Sequence, residues 1–330
     1  MKLPLVSVVI PTYNRAELLP RAVDSVIAQT VSDWEVIIVD DGSTDQTPLV
    51  AERYRRSLGR RLAYHFQDHQ GASRARNTGI DACRGRFVAF LDSDDEFFPS
   101  KLERQIELFH LRPELGLVYS DYAYIDLDGQ RRPSAFDDKC PAARRVSRES
   151  VAPGLFVCGG DFFGALLCDY FVATIVGMVR RDVLGSHIRF PTEHAYAEEW
   201  LFYLRVARVC RAGFVDEPLS LHHFVPGSAA RTDPHRNLVR LRGLLHSIES
   251  EFPDLTRDQR RAVRGRRAET ARQLAYNAMR ARQARLALAF LAETVRLRPT
   301  WRGLLEWAKY PLEWAVAGRS TVPAGRPISQ

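Results

Sequence analysis

Two short β-branched runs, "LVSVVIP" (5–11) and "WEVIIVDD" (34–41), each stop abruptly in polar residues. A continuous apolar run of strand length is buried on both faces, and a parallel sheet covered by helices provides that environment. Between the two runs, "RAELLPRAVDSVIAQ" places apolar residues at 18, 19, 22, 23, 26 and 27, the spacing of one helix face. "STDQTPLVAERYRRSL" opens with a Ser/Thr/Asp cluster suited to a helix N-cap. "GASRARNTGIDACRG" reads as a third helix and "RFVAFLD" as a third strand. "ELGLVYSDYAYID" supplies a further strand, "TIVGMVRRDVL" a strand then a helix, and "AEEWLFYLRVARV" another helix. This alternation predicts an α/β fold with a Rossmann-like, mostly parallel mixed sheet. The span 131–165 is punctuated by Pro and Gly and is expected to be loop-rich. Residues 235–298 are rich in Ala, Leu and Arg and are expected to be helical. The predicted organisation is a domain over 1–230, a helical C-terminal extension over 231–318 and a disordered tail over 319–330.

Charge is divided unevenly along the chain. Residues 231–330 hold 20 Lys+Arg and 9 Asp+Glu, a balance of +11, whereas residues 1–230 hold 27 and 31, a balance of −4; together they give the net +7. A basic tail suits an anionic membrane face or simple solvation, and no nucleic-acid motif accompanies it, so nucleic acid is not an expected partner. Five cysteines without a C-x-x-C pair favour a reducing compartment over a disulfide framework. "MKLPLVSVVIP" reads as a first strand rather than a signal peptide, and the longest apolar window, 154–179, is broken by Asp161 and Asp169. The expected location is cytoplasmic, with peripheral contact at the inner membrane face through the basic helices.

In open α/β sheets ligands bind beyond the carboxyl ends of the strands. Three polar groups fall at such ends: "PTYNR" (11–15), "DDGSTD" (40–45) and "DSDD" (92–95). The last belongs to "AFLDSDDEFFP", where Asp92, Asp94, Asp95 and Glu96 crowd into five positions. No G-x-G-x-x-G or G-x-x-x-x-G-K-[ST] follows a strand, so the glycine-rich phosphate cradle of dinucleotide and P-loop proteins is missing. A divalent ion is the other way to hold a diphosphate. Mg²⁺ and Mn²⁺ take one or two carboxylates with phosphate oxygens and water, a role open to Asp92 and Asp94.

"VSVVIPTYNR", "EVIIVDDGSTD", "GASRARNTGI", "FLDSDDEFFP" and "AEEWLFYLRVA" together resemble the ordered motif series of family 2 glycosyltransferases, inverting enzymes of glycosyltransferase A-type fold. The likeness covers roughly residues 5–228, and five motifs in one order are far more specific than any alone. The resemblance implies roles position by position. Pro11 and Tyr13 would contact the nucleotide, with the Tyr13 ring against the base. Asp40 would bond the uracil, with Asp41 and Ser43 in the same turn. Arg76 and Asn77 would border the diphosphate. Asp92 and Asp94 would meet the metal, Mn²⁺ or Mg²⁺, with Asp92 also at the donor ribose. His223 would be a further metal ligand, although the family's later histidine position here is Val225. Glu199 would be the base. The family's Glu-Asp pair is Glu198-Glu199 in this chain, one methylene longer at the second position. The implied partners are a nucleotide-sugar donor, UDP-linked by expectation, and a glycan or lipid-linked acceptor. Two other classes stand beside this reading. One is a non-catalytic scaffold on a degenerate transferase fold, for which the Glu-Glu pair and the histidine mismatch speak. The other is a nucleotidyltransferase, against which the motif series and the missing lysine after the first strand speak.

Overall fold

The computed structural model describes residues 3–126, 128–224 and 233–299; the expected tail at 319–330, residues 300–318 of the expected extension and Val225 lie outside them. The chain divides into two compact units, Met1–Thr232 and Asp233–Gln330.

The first unit is built on one mixed sheet. Its strands are β1 (Val6–Thr12), β2 (Trp34–Asp40), β3 (Leu62–Phe66), β4 (Phe87–Phe90), β5 (Glu96–Phe97), β6 (Leu115–Ile125), β7 (Arg131–Arg132), β8 (Arg148–Ala152), β9 (Leu155–Cys158), β10 (Gly177–Arg180) and β11 (Arg211–His223). The helices are α1 (Leu19–Ile27), α2 (Thr47–Leu58), α3 (Ala72–Ala82), α4 (Lys101–Leu111), the short α5 (Ala135–Asp138) and α6 (Pro141–Arg144), α7 (Phe162–Cys168), α8 (Arg181–Leu184) and α9 (Glu198–Val209). Spatially the strands run β3-β2-β1-β4-β10-β6-β11-β9-β8, with β5 paired to β11 and β7 to β6. β3, β2, β1 and β4 are mutually parallel. β10 is inserted antiparallel between β4 and β6, and β9 and β8 extend the far edge antiparallel. All seven residues of β1 and of β2 are buried, as uninterrupted apolar strands between two helical layers require.

Three elements depart from the sequence reading. β3 joins the sheet where none was expected, because its inner side is carried by only one fully buried residue, Leu62, and "LAYHF" has no apolar run to announce it. The 131–165 span holds the β8–β9 hairpin and the start of α7 rather than loop alone. β11 runs thirteen residues through "RAGFVDEPLSLHH", interrupted by irregular register at Pro218, where a missing N–H cannot join the ladder.

Parallel pairing sets the tips of the first four strands at one edge. Thr12 is in register with Asp40, and Asp40 with Phe66. The segments after β1, β2, β3 and β4 therefore leave the sheet side by side. The second unit, within the described residues, consists of α10 (Pro234–Glu251), α11 (Arg257–Arg280) and α12 (Ala284–Leu297). Asp233 caps α10 and a Thr256–Gln259 capping box opens α11. Leu244, Leu245, Ile248, Val263, Leu274 and Leu291 form its buried interior. Among the described residues no helix is long and apolar enough to cross a membrane.

Candidate active site

The first two strand tips are locked together before any ligand is considered. Asn14, held at φ +50°, accepts from the Thr44 amide at 2.8 Å, while its own N–H donates to Ser43 Oγ at 2.9 Å. Arg15 N–H donates to Thr47 Oγ1 at 2.8 Å. Asp40 is fully buried, and both of its oxygens are taken from inside the fold, by Ser43 N–H at 2.8 Å and the Tyr64 hydroxyl at 2.8 Å. Each oxygen accepts one hydrogen bond there, which orients the carboxylate at the β2 tip where the base-binding role is expected. Asp41 anchors the segment after β3, accepting from Gln70 N–H at 2.9 Å, Gly71 N–H at 2.7 Å and Gln67 Nε2 at 2.7 Å. Gly71 sits at φ +92°, a left-handed turn that a side chain would strain, and opens α3 directly.

That anchored segment brings in a residue the sequence reading missed. His69 pairs with Asp41 at 2.9 Å, and its ring stacks on Tyr13 with centroids 4.1 Å apart. Tyr13 keeps 41% of its surface exposed and so retains a face for a planar ligand. His69 follows the unannounced strand β3, which is why its position was not legible. Pro11 lies within β1, buried and in register with Val39, rather than in the loop. At the β1 tip the buried Thr12 Oγ1 has no hydrogen-bond partner among the described residues.

The acidic cluster after β4 is sorted by partner. Asp92 accepts from Arg76 Nη2 at 2.8 Å. Asp94 faces Arg15 at 3.9 Å, and its backbone carbonyl accepts from Arg21. Burial, then the neighbouring Asp92 charge, raises the Asp94 carboxyl above the usual range. Asp95 is fully buried and binds the end of β11, accepting from His223 N–H at 2.8 Å and pairing with His222 Nδ1 at 2.9 Å. Glu96 pairs with His223 Nε2 at 2.7 Å. The two outer acids are thus anchors for the histidines at the end of β11. His223 has its Nε2 committed to Glu96, and burial depresses its pKa. His222 is held through Nδ1, which directs Nε2 to the opposite side of its ring; Asp95, Asp92 and Asp94 together more than offset burial and raise its pKa.

Arg76, expected to border the diphosphate, is only 6% exposed. Gly79, one helical turn on, explains it: a Cβ there would lie 2.2 Å from Val9 Cγ1. The missing side chain lets α3 press against β1, and Arg76 shares that inward face. Its guanidinium bridges Asp92 and Glu198 Oε1, the latter at 3.0 Å, while its buried Nε has no partner among the described residues. Asn77 joins α3 to Phe190, donating to its carbonyl at 2.9 Å and accepting its N–H at 2.8 Å.

α9 begins after Ala197, held at φ +55°, with both glutamates in its first turn, where the positive end of the helix favours them. Successive helical residues point about 100° apart, so the two diverge. Glu198 goes to Arg76. Glu199 accepts from the Tyr170 hydroxyl at 2.6 Å. Burial, then repulsion from Glu198, pushes Glu199 up to about 7, with Arg76 and Tyr170 opposing. Asp161 caps α7, accepting from Gly164 N–H at 2.7 Å.

Asp92 and Asp94 are hard oxygen donors on one loop, crowded enough to perturb Asp94, and fit a divalent ion whose remaining positions are taken by ligand oxygens and water. Among the described residues no group of three His, Cys, Asp or Glu side chains is gathered to hold a metal without such help.

Residues 7–164 match the model of glycosyl transferase family 2. The chain is 39% identical over 126 residues to the putative teichuronic acid biosynthesis glycosyltransferase TuaG of Bacillus subtilis, covering 38% of this chain and 50% of that protein. It is 36% identical over 122 residues to WfgD of Escherichia coli, a UDP-Glc:alpha-D-GlcNAc-diphosphoundecaprenol beta-1,3-glucosyltransferase, covering 37% and 47%. The chain spans half or less of the length of these curated relatives. In fold it is similar to residues 1–349 of S. aureus TarS, solved with UDP-GlcNAc, at a TM-score of 0.65 and 20% identity over 89% of this chain and 81% of that one. The ordered strand tips, the family model and the fold agree: residues 7–164 are similar to the family 2 glycosyltransferases, and the chain has the glycosyltransferase A-type fold.

Proposed function

We propose that the chain is an inverting, metal-dependent glycosyltransferase that moves a sugar from a UDP-sugar to a hydroxyl of a glycan or lipid-linked acceptor in cell-surface polysaccharide synthesis. The observation that carries this reading is the division of labour between the two glutamates. Arg76 engages Glu198 and leaves Glu199 buried, hydrogen-bonded to Tyr170 and poised at about 7. A general base works best when its pKa lies near the operating pH. The names of WfgD and TuaG support a sugar nucleotide donor and a surface polysaccharide product.

In this reading Tyr13, backed by His69, receives the base, and the orphaned Thr12 hydroxyl lies at the same tip. Asp92 and Asp94 would hold Mn²⁺ or Mg²⁺, which when bound supplies positive charge for the leaving diphosphate. Arg76 adds a buried cation on the same side, and its unpartnered Nε–H is a donor in reserve. Glu199 takes the proton of the acceptor hydroxyl as that oxygen attacks the anomeric carbon from the face opposite the diphosphate. The extra methylene of glutamate is accommodated because Tyr170 fixes the carboxylate.

The test is UDP release from UDP-Glc and UDP-GlcNAc with Mn²⁺ by the full chain. Glu199→Gln keeps size and polarity but cannot accept a proton, and release should fall by about 10²–10⁴ while UDP binding persists. Loss in Glu198→Gln with full activity in Glu199→Gln would reverse the assignment.

A further inference from the structure

We infer that Tyr170 is a positioning residue for the base, fixing the orientation and the proton affinity of Glu199; this rests on the catalytic reading of Glu199 above. The observation is a chain of contacts that starts in the packing of α7 against α9. Trp200, 1% exposed, donates from Nε1 to the Leu166 carbonyl at 2.7 Å, pinning the first turn of α9 to α7. Tyr170 follows α7 by two residues, and its ring lies 6.3 Å from that of Trp200 at a 44° tilt. The indole that pins α9 thus also backs the phenol that reaches the next residue down, Glu199, at 2.6 Å. A hydroxyl held on an aromatic ring has one rotatable bond left, so it selects one carboxylate orientation at small entropic cost.

The surroundings explain why a single donor matters here. The charged and titratable groups acting on Glu199 are Glu198 on its own helix, Arg76 from α3, Tyr170 and, one turn along α9, Tyr203. The hydrogen bonds of Arg76 go to Asp92 and Glu198 and not to Glu199. Tyr170 is accordingly the side-chain hydrogen bond that Glu199 receives in the network. An O–H donor bonded to a carboxylate favours the ionised form. Its removal raises the proton affinity of the base and frees its rotamer, without touching the donor side.

The experiment compares Tyr170→Phe, which keeps the ring and its packing on Trp200, with the unaltered full chain. UDP release from UDP-Glc or UDP-GlcNAc with Mn²⁺ is followed from pH 5.5 to 9. The acid limb should move upward by about one pH unit, a tenfold change in proton affinity. The plateau rate should fall by about tenfold or more, and the KM for the donor should stay within about twofold. A residue with a merely structural role would lower thermal stability and leave the limb in place, and that result overturns the inference. An unmoved limb with an unchanged plateau overturns it as well. Glu199→Gln is assayed alongside. If that variant stays active, the base assignment itself fails; if it is inactive while Tyr170→Phe keeps the original profile, only the role of Tyr170 falls.

Discussion

Arg76 is one cation serving two halves of the site, and removing it should cost stability as well as activity. Its guanidinium lies 2.8 Å from Asp92 and 3.0 Å from Glu198. Asp92 and Glu198 retain 29% and 14% side-chain exposure. Burial alone would depress the Arg76 pKa, and Asp92 followed by Glu198 reverses that and raises it. Breaking a buried pair by deleting one partner typically costs about 3–5 kcal/mol, because the abandoned charge stays behind. Water can reach Asp92 from one side, so Arg76→Met should sit at the low end, about 3 kcal/mol. For a unit of this size each kcal/mol shifts Tm by about 2–4 °C, giving a drop of about 6–12 °C. The Met side chain preserves the packing against Phe190, so lost volume contributes little. Glu198→Met alone leaves Arg76 paired with Asp92 and should cost less. In the double variant no orphaned Glu198 remains, and the losses should fall short of additivity by about 1–2 kcal/mol. The assay is thermal unfolding of the full chain without nucleotide or metal, read by near-UV circular dichroism. A Tm within about 2 °C of the parent for Arg76→Met, or strict additivity in the double variant, would refute the bridge.

Asp94→Asn should abolish Mn²⁺-dependent UDP release and the thermal shift that UDP with Mn²⁺ produces, while leaving the fold intact, because it relieves crowding that already raises the Asp94 carboxyl; full activity in that variant would remove Asp94 from the metal site. The arginines behind the +11 balance after residue 230 should bind the chain to anionic but not neutral vesicles, with each basic residue near the surface adding about 1 kcal/mol. Co-sedimentation at two salt concentrations checks this, and absence of binding at low salt leaves those arginines to solvent.

The order of chemistry along this chain was legible because it follows from local rules. Apolar runs such as "VSVVIPT" alternating with helical segments suit covered parallel strands, and parallel strands present their tips together, so the sequence alone assigns Tyr13, Asp41 and Asp92 to one edge. The acidic knot likewise announced a cation. What the sequence alone left open was which partner each polar group finds. Asp95 and Glu96 become anchors only because β11, with a register broken at Pro218, returns His222 and His223 beside them. His69 meets Tyr13 only because the weakly patterned β3 aligns with β2. Arg76 is buried only because Gly79 lets α3 approach Val9, and Tyr170 reaches Glu199 only through the packing of α7 on α9. A hydrogen bond joins groups as many as 128 positions apart here, as His223 to Asp95 shows. Periodicity reports which face of an element is apolar, but the choice of partner depends on distances between elements, and those are settled by side-chain volume in the packed interior.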